Sequence, residues 1–183
     1  MIHADHVALL RPADLLQGGV WGDLGSGTGA FTLALRELVG PDAEIYAVDQ
    51  HQASLSEMLK TYKRKFGNTA RLHSLTADFS KPLDLPALDG LLLANSLHFF
   101  RDKVKILKQL KKHITSTGIL LVVEYNVDKG NLWVPYPVSY DTFRNLVMDS
   151  GFSDPRLLAT HPSSFLREFY SASASATARD QQS

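Results

Sequence analysis

Segments of β character alternate with segments of helical periodicity along most of this chain, and that alternation restricts the fold more than any other feature. The β-like segments are residues 20–24, 45–48, 71–76, 90–93 and 118–125. Between them, residues 29–39, 53–66 and 102–114 carry apolar side chains at helical spacing, as with Val104, Leu107 and Leu110. Strands separated by crossover helices form a parallel sheet covered on its faces. After the fifth strand the pattern changes. Residues 140–150 read as a helix closed by Gly151, and two further β-like stretches follow at 156–160 and 165–171. His161, Pro162, Ser163 and Ser164 alone separate them, too few residues for a parallel crossover, so they are expected to pair as an antiparallel hairpin. From Ala172 the sequence alternates Ala with Ser and then turns polar, which reads as a fraying, disordered tail over 172–183.

A chain of 183 residues fits one domain, and no linker divides it. Hydrophobic residues make up 44% and charged residues 21%, which excludes disordered and coiled-coil classes. The 19 basic and 19 acidic side chains cancel, so no global field draws the protein to a phosphate backbone, and no nucleic-acid partner is indicated. The basic run Lys60, Lys63, Arg64 and Lys65 falls where a helix ends, which suits a solvated face complementing the helix dipole. Cysteine is absent, which removes disulfides and thiolate chemistry and suits a reducing compartment. The longest apolar runs, 91–94 and 119–123, are far short of a membrane span, and the first residues lack a secretory pattern. A soluble, cytoplasmic protein with no membrane partner is expected.

The most informative stretch is Val20-Trp21-Gly22-Asp23-Leu24-Gly25-Ser26-Gly27-Thr28-Gly29, a strand running into a glycine-rich turn and then a helix. Glycines permit a tight turn and close approach of a ligand to the backbone, while the helix start offers free N–H groups. Asp49 follows Gly29 by twenty residues, at the end of the second strand, where a carboxylate can take both hydroxyls of a ribose. An adenosine-type ligand is implied. The glycine spacing alone does not separate a dinucleotide from other adenosine ligands, because Ala30 occupies the place of a dinucleotide loop's third glycine. The discriminating residue is Asp23, two before Gly25.

With Asp23, the run Asp23-x-Gly25-x-Gly27-x-Gly29 resembles the first motif of class I S-adenosylmethionine-dependent methyltransferases. The resemblance covers roughly residues 20–125 and, in topology, extends to about Ser171. It implies a Rossmann-like, doubly wound α/β fold with a seven-stranded, mostly parallel sheet closed by an antiparallel C-terminal hairpin. It implies S-adenosylmethionine as cofactor, with Asp23, Gly25, Ser26, Gly27, Thr28 and Gly29 around its methionine part. Asp49 matches the ribose position, Asp78 in Thr76-Ala77-Asp78-Phe79 the adenine amine, and Phe79 and Gln50 would flank the ring. In the fourth motif, residues 89–100, Asn95, Ser96 and His98 are expected to face the cofactor or acceptor. That motif looks like the small-molecule branch, including quinone-biosynthesis C-methyltransferases. It lacks the Asn/Asp-Pro-Pro-Tyr/Phe signature of many nucleobase and glutamine enzymes, and the acid expected in metal-dependent catechol-type enzymes, so no metal is expected.

Methyl transfer from a sulfonium chiefly requires holding donor and acceptor close, aligned and dry. A base is needed only where the acceptor loses a proton, and His98 is the candidate because imidazole titrates near neutrality. Glu124, Tyr125, Asn126, Trp133, Tyr136 and Tyr140 are further pocket candidates, each also suited to packing at the sheet edge. Residues 1–19, with His3 and His6, are expected to lid the cofactor, ahead of a domain over 20–171. The acceptor site is then either small and open or completed by a second subunit in a homodimer. The rival readings are a protein or RNA methyltransferase, a non-catalytic cofactor-binding protein and a nicotinamide-dependent oxidoreductase.

Overall fold

The structure is a computed structural model that describes residues 1–177. Its elements run in the order α1 (His3–Leu10), β1 (Val20–Leu24), α2 (Ala30–Val39), β2 (Glu44–Asp49), α3 (Gln52–Phe66), β3 (Leu72–Thr76), β4 (Leu88–Ala94), α4 (Lys103–Lys111), β5 (Ile114–Tyr125), α5 (Tyr140–Asp149), β6 (Ser153–Pro162) and β7 (Glu168–Ser175). Short 3-10 turns follow α1 and β4. The seven strands form one sheet in the order β3-β2-β1-β4-β5-β7-β6. The first five pair in parallel, and β7 pairs antiparallel with both β5 and β6. This is the expected doubly wound architecture. Among the described residues no helix is long and apolar enough to cross a membrane.

Strand β4 shows why the sheet is covered on both sides. Its apolar run places Leu91 and Leu93 against a layer containing Ile106, Leu107, Leu110, Phe143 and Val147 of α4 and α5. Leu92 and Ala94 point the other way, into a layer with Phe31, Leu35, Leu55 and Met58 of α2 and α3. A strand buried on both faces reads as a continuous apolar run, as here, rather than as an alternation. Gly90 is required by the same packing: a methyl group there would run into the Trp21 ring of β1. Helix α1 packs on α2 and β6, and Ser171 Oγ donates to Leu9 O at 2.6 Å to fix its end.

The junction between α4 and β5 differs from the sequence reading. Helix α4 stops at Lys111, and β5 begins at Ile114 rather than at Gly118. Ile114 pairs with Leu88 one bulge before Gly90 pairs with Ile119, so the run Ile114-Thr115-Ser116-Thr117, three of its four residues β-branched, extends the strand instead of the helix. The hairpin forms as expected but is displaced: its second strand runs from Glu168 to Ser175, and its turn is closed by Ser163 N donating to Arg167 O at 2.8 Å.

The Ala/Ser alternation taken for the start of a fraying tail is instead the period-two pattern of an interior strand. Ala172 and Ala174 enter the apolar layer beneath α4 and α5, while Ser171 and Ser173 face the other side. With β5 on one flank and β6 on the other, both backbone edges are paired, which compensates for weak intrinsic strand propensity. Positions 178–183 of the expected tail lie outside the described residues.

Ala174 is only 1% exposed, so Ala174→Asp should place an unpaired charge in the core and lower stability by on the order of 3 kcal/mol, read by urea unfolding. A frayed segment would tolerate the same change within about 0.5 kcal/mol.

Candidate functional site

The strand order reverses between β1 and β4: the chain winds outward through β2 and β3, then crosses back to β4 and β5. Helices leave the carboxyl ends of β1 and β4 in opposite directions, and a crevice opens where they diverge. Two arms of that crevice meet at Gly25 and Asn95. The larger, about 470 Å³, is lined by Asp49, Gln50, Asp78, Phe79, Ser96 and Phe99, among others. The smaller, about 250 Å³, runs along the glycine turn past Asp23, Ser26, Gly27 and Thr28 to His6 and Phe31. Together they match the size of sites that take drug-sized ligands.

The glycine turn is anchored from both neighbouring strands. Gly25 N and Ser26 N donate to Val48 O at 2.8 and 3.1 Å, and Ser96 Oγ donates to Leu24 O at 2.9 Å. Asp49 accepts from Gly27 N on Oδ2 and from His51 N on Oδ1, each at 2.8 Å. The acid at the end of β2 therefore shapes the loop as well as facing the cleft. A carboxylate has further lone pairs, so these two bonds leave capacity for ligand hydroxyls. Gly27 has φ +54°, and a Cβ on it would meet nothing within 4 Å, so its open side faces ligand space.

Gly29 belongs to a different class. It caps α2 with φ 85°, and a side chain there would strike Met58 of α3. It does not line either arm of the cleft. Its role is to bring α2 and α3 together, as expected of a closing glycine in such a loop. The other eleven cofactor-side positions expected from the sequence line one arm or both.

Polar groups in the cleft are left in want of partners. Ser26 Oγ and Asn95 Oδ1 are buried without a hydrogen bond, although buried polar atoms are ordinarily paired. Asn95 also holds φ 53°, a left-handed conformation in which asparagine is enriched. A zwitterionic amino-acid group has the right chemistry for both, since a hydroxyl can donate to a carboxylate and an amide oxygen can accept from an ammonium. Asp23 adds a third such feature. Only 1% exposed, it accepts from Thr32 Oγ1 at 2.5 Å. Burial pushes its carboxyl up to about 7, the Thr32 hydroxyl pulls the other way, and the nearby charge of Asp49 adds to the rise. In the larger arm, Asp78 Oδ1 accepts from Ser80 N at 2.9 Å, and hydrogen bonds from Ser80 hold its carboxyl below the usual range. Phe79 lies beside it, tilted against Phe100 with ring centroids 5.0 Å apart.

His98 lies in the 3-10 turn after β4 but does not line the cleft. It is 3% exposed, and its Nδ1 is 2.7 Å from Glu124 Oε2. Of the other residues considered after β5, Asn126 ties β7 to α5 through Glu168 Oε1 and Tyr140 N, and the Tyr140 hydroxyl donates to Pro155 O at 3.2 Å. Those two hold the frame. Trp133 is 72% exposed, and Tyr136 N donates to His98 O at 3.0 Å, so this loop borders the turn that carries Phe99. His51, Ser80, Phe99 and Phe100 line the larger arm and were not singled out by sequence, although His51, Ser80 and Phe99 each adjoin a residue that was.

Residues 18–151 match a family model described as a methyltransferase domain. No curated protein sequence matches the chain. Among solved structures, a candidate O-methyltransferase from Nostoc punctiforme superposes with a TM-score of 0.76 at 19% identity, over 96% of this chain and 56% of that one. A SAM-dependent methyltransferase from Aquifex aeolicus gives 0.71 at 21%, over 93% and 88%. Phosphoethanolamine N-methyltransferase 2 of Haemonchus contortus, in complex with phosphomonomethylethanolamine and S-adenosylhomocysteine, gives 0.75 at 14%, over 95% and 52%. The chain thus spans little more than half the length of the Nostoc and Haemonchus proteins. At these identities the likeness is one of fold.

The state of Asp23 yields a pH prediction. Its folded pKa lies above the unfolded value, so its contribution to stability is full below pH ~4 and is lost as pH rises through about 7. Relative to Asp23→Asn, the wild type should lose on the order of 4 kcal/mol of unfolding free energy across that window, followed by urea denaturation at several pH values. A difference between the two proteins that does not change with pH would contradict this burial argument.

Proposed function

Since the chain belongs to the methyltransferase-domain family, we propose that it transfers the methyl group of S-adenosylmethionine to a small-molecule acceptor. The observation that carries this reading is the two-armed crevice at the β1/β4 switch, with one carboxylate at each adenosine position and unpaired polar atoms on Ser26 of the glycine turn and on Asn95 after β4. Asp49 would take the ribose hydroxyls. Asp78 would accept from the adenine amine while Phe79 and Gln50 flank the ring. Asp23, Ser26 and Asn95 would meet the amino-acid end, with Gly25, Gly27 and Thr28 keeping the backbone low enough for close approach. The bound cofactor supplies an activated methyl: an acceptor lone pair forms the new bond, and the pair of the broken C–S bond stays on sulfur. Support for this cofactor comes from the Haemonchus protein, whose structure of the same fold contains S-adenosylhomocysteine.

The protein's own contribution is positioning and exclusion of water, which in favourable cases is worth about 7–11 kcal/mol. Residues 1–19 would act as the lid, since Met1 and His6 border the smaller arm. The acceptor would enter beside Phe99, an exposed ring at the rim of the larger arm, with Trp133 and Tyr136 on the adjoining loop. Exposed aromatic faces suit a flat acceptor, a quinone precursor being one such class. His98 is the residue proposed to remove a proton where the acceptor carries one.

S-adenosylhomocysteine at a hundred times its dissociation constant should stabilise the protein by about 2.7 kcal/mol, whereas NAD at equal concentration should not. Asp49→Ala should weaken S-adenosylhomocysteine binding by at least roughly tenfold, because hydrogen bonds to a charged group are worth about 1.5–3 kcal/mol each. Calorimetry and thermal shift read both. A larger shift with NAD, or unchanged affinity in a folded Asp49→Ala protein, would overturn the assignment.

A further inference from the structure

Glu124, next to last in β5, carries a fully buried carboxylate whose hydrogen bonds reach into one turn. Oε1 accepts from Leu97 N at 2.9 Å and from His98 N at 3.1 Å, while Oε2 lies 2.7 Å from His98 Nδ1. The two backbone bonds suffice to hold the 3-10 turn. The third does something else, because it engages the imidazole. With the carboxylate accepting at that distance, Nδ1 carries a proton, and in the neutral ring the lone pair then lies on Nε2.

The ring is held on its faces as well. His98 lies against Phe99, with centroids 4.3 Å apart, and near Tyr125 at 6.3 Å. Tyr125 in turn meets Phe165 at 6.0 Å and Phe169 at 4.3 Å, so the imidazole is one member of an aromatic run at the carboxyl end of β5 and the amino end of β7. Phe99 is the member that also borders the large arm of the cleft. Lys103 is the neighbouring cation: burial lowers its ammonium, Glu124 opposes that, and its Nζ donates to Phe100 O at 2.9 Å.

We infer that Glu124 is a positioning residue that locks His98 in the tautomer protonated at Nδ1, so that Nε2 is the nitrogen able to take a proton from an acceptor that displaces the exposed Phe99 ring lying between this buried imidazole and the cleft. The use of that lone pair rests on the methyltransferase reading; the lock itself does not. In the step it serves, the acceptor's O–H or N–H bond breaks, the proton moves to Nε2, and the bonding pair remains on the acceptor atom. The resulting imidazolium is stabilised by the carboxylate at Nδ1. The arrangement follows the logic of acid–imidazole pairs in which the acid orients and does not itself take the proton.

Glu124→Gln separates this role from simple support of the turn. The amide oxygen can replace Oε1 and keep both backbone bonds, while the NH₂ group presents a donor to Nδ1 and drives the ring proton to Nε2. Long-range ¹H–¹⁵N correlation spectra of the imidazole, recorded at neutral pH on the full chain, report the tautomer directly. The wild type should show Nδ1–H, Glu124→Gln should show Nε2–H, and both should bind S-adenosylhomocysteine within about a factor of two of one another. An Nε2–H tautomer in the wild type, or Nδ1–H retained in the variant, overturns the inference. If the variant does not fold, the wild-type spectrum decides alone. Absence of S-adenosylhomocysteine binding by the wild type would instead count against the methyltransferase reading, whatever the tautomer.

Discussion

The crevice exists because the sheet winds in two directions from its centre. From β1 the chain builds outward to β3, then returns to place β4 on the opposite side of β1. The helices that follow β1 and β4 must therefore diverge, and neither covers the ends of both strands. Everything proposed for ligand binding hangs on loops attached to this gap. Their geometry is held by hydrogen bonds between neighbouring strand ends: Val48 O holds the glycine turn, Leu24 O holds Ser96, and Val123 O accepts from Asn95 N at 2.8 Å. Each loop is fixed by the next strand over, so the rim behaves as a continuation of the sheet.

Two buried acids divide the labour at this rim. Asp23, at the glycine-turn side, is held by a single hydroxyl, and burial raises its carboxyl, so its charged form gains most when a cation approaches. Glu124, at the far side, is surrounded by two backbone donors and an imidazole and so organises the turn after β4. One acid is underprovided with donors and the other is well provided. That contrast separates a group suited to meeting a ligand from one suited to orienting its neighbour.

Much of this was legible in the sequence because it was written in short range. The strand–glycine–helix stretch, Asp49 at the end of the second strand and Asp78 after the third each depend on local spacing, and the structure brings them to one cleft. What could not be read depended on tertiary partners. Residues 172–175 look like a tail until β5 and β6 flank them. Gly29 looks like its companions in the loop, but only the position of Met58 shows that it serves helix packing. His98 was found as an imidazole in a polar loop. Its orientation came from Glu124, twenty-six residues away, through a contact that no local spacing encodes.

The central claim is that one adenosine-bearing ligand spans both arms of the crevice, and a crystal structure of the protein with S-adenosylhomocysteine tests it most directly. The account predicts ribose hydroxyls within about 3 Å of Asp49, the adenine between Phe79 and Gln50, and the amino-acid end beside Ser26 and Asn95, whose buried atoms then gain partners. Density for the ligand elsewhere on the surface, or a bound pose that leaves the glycine turn untouched, would contradict it.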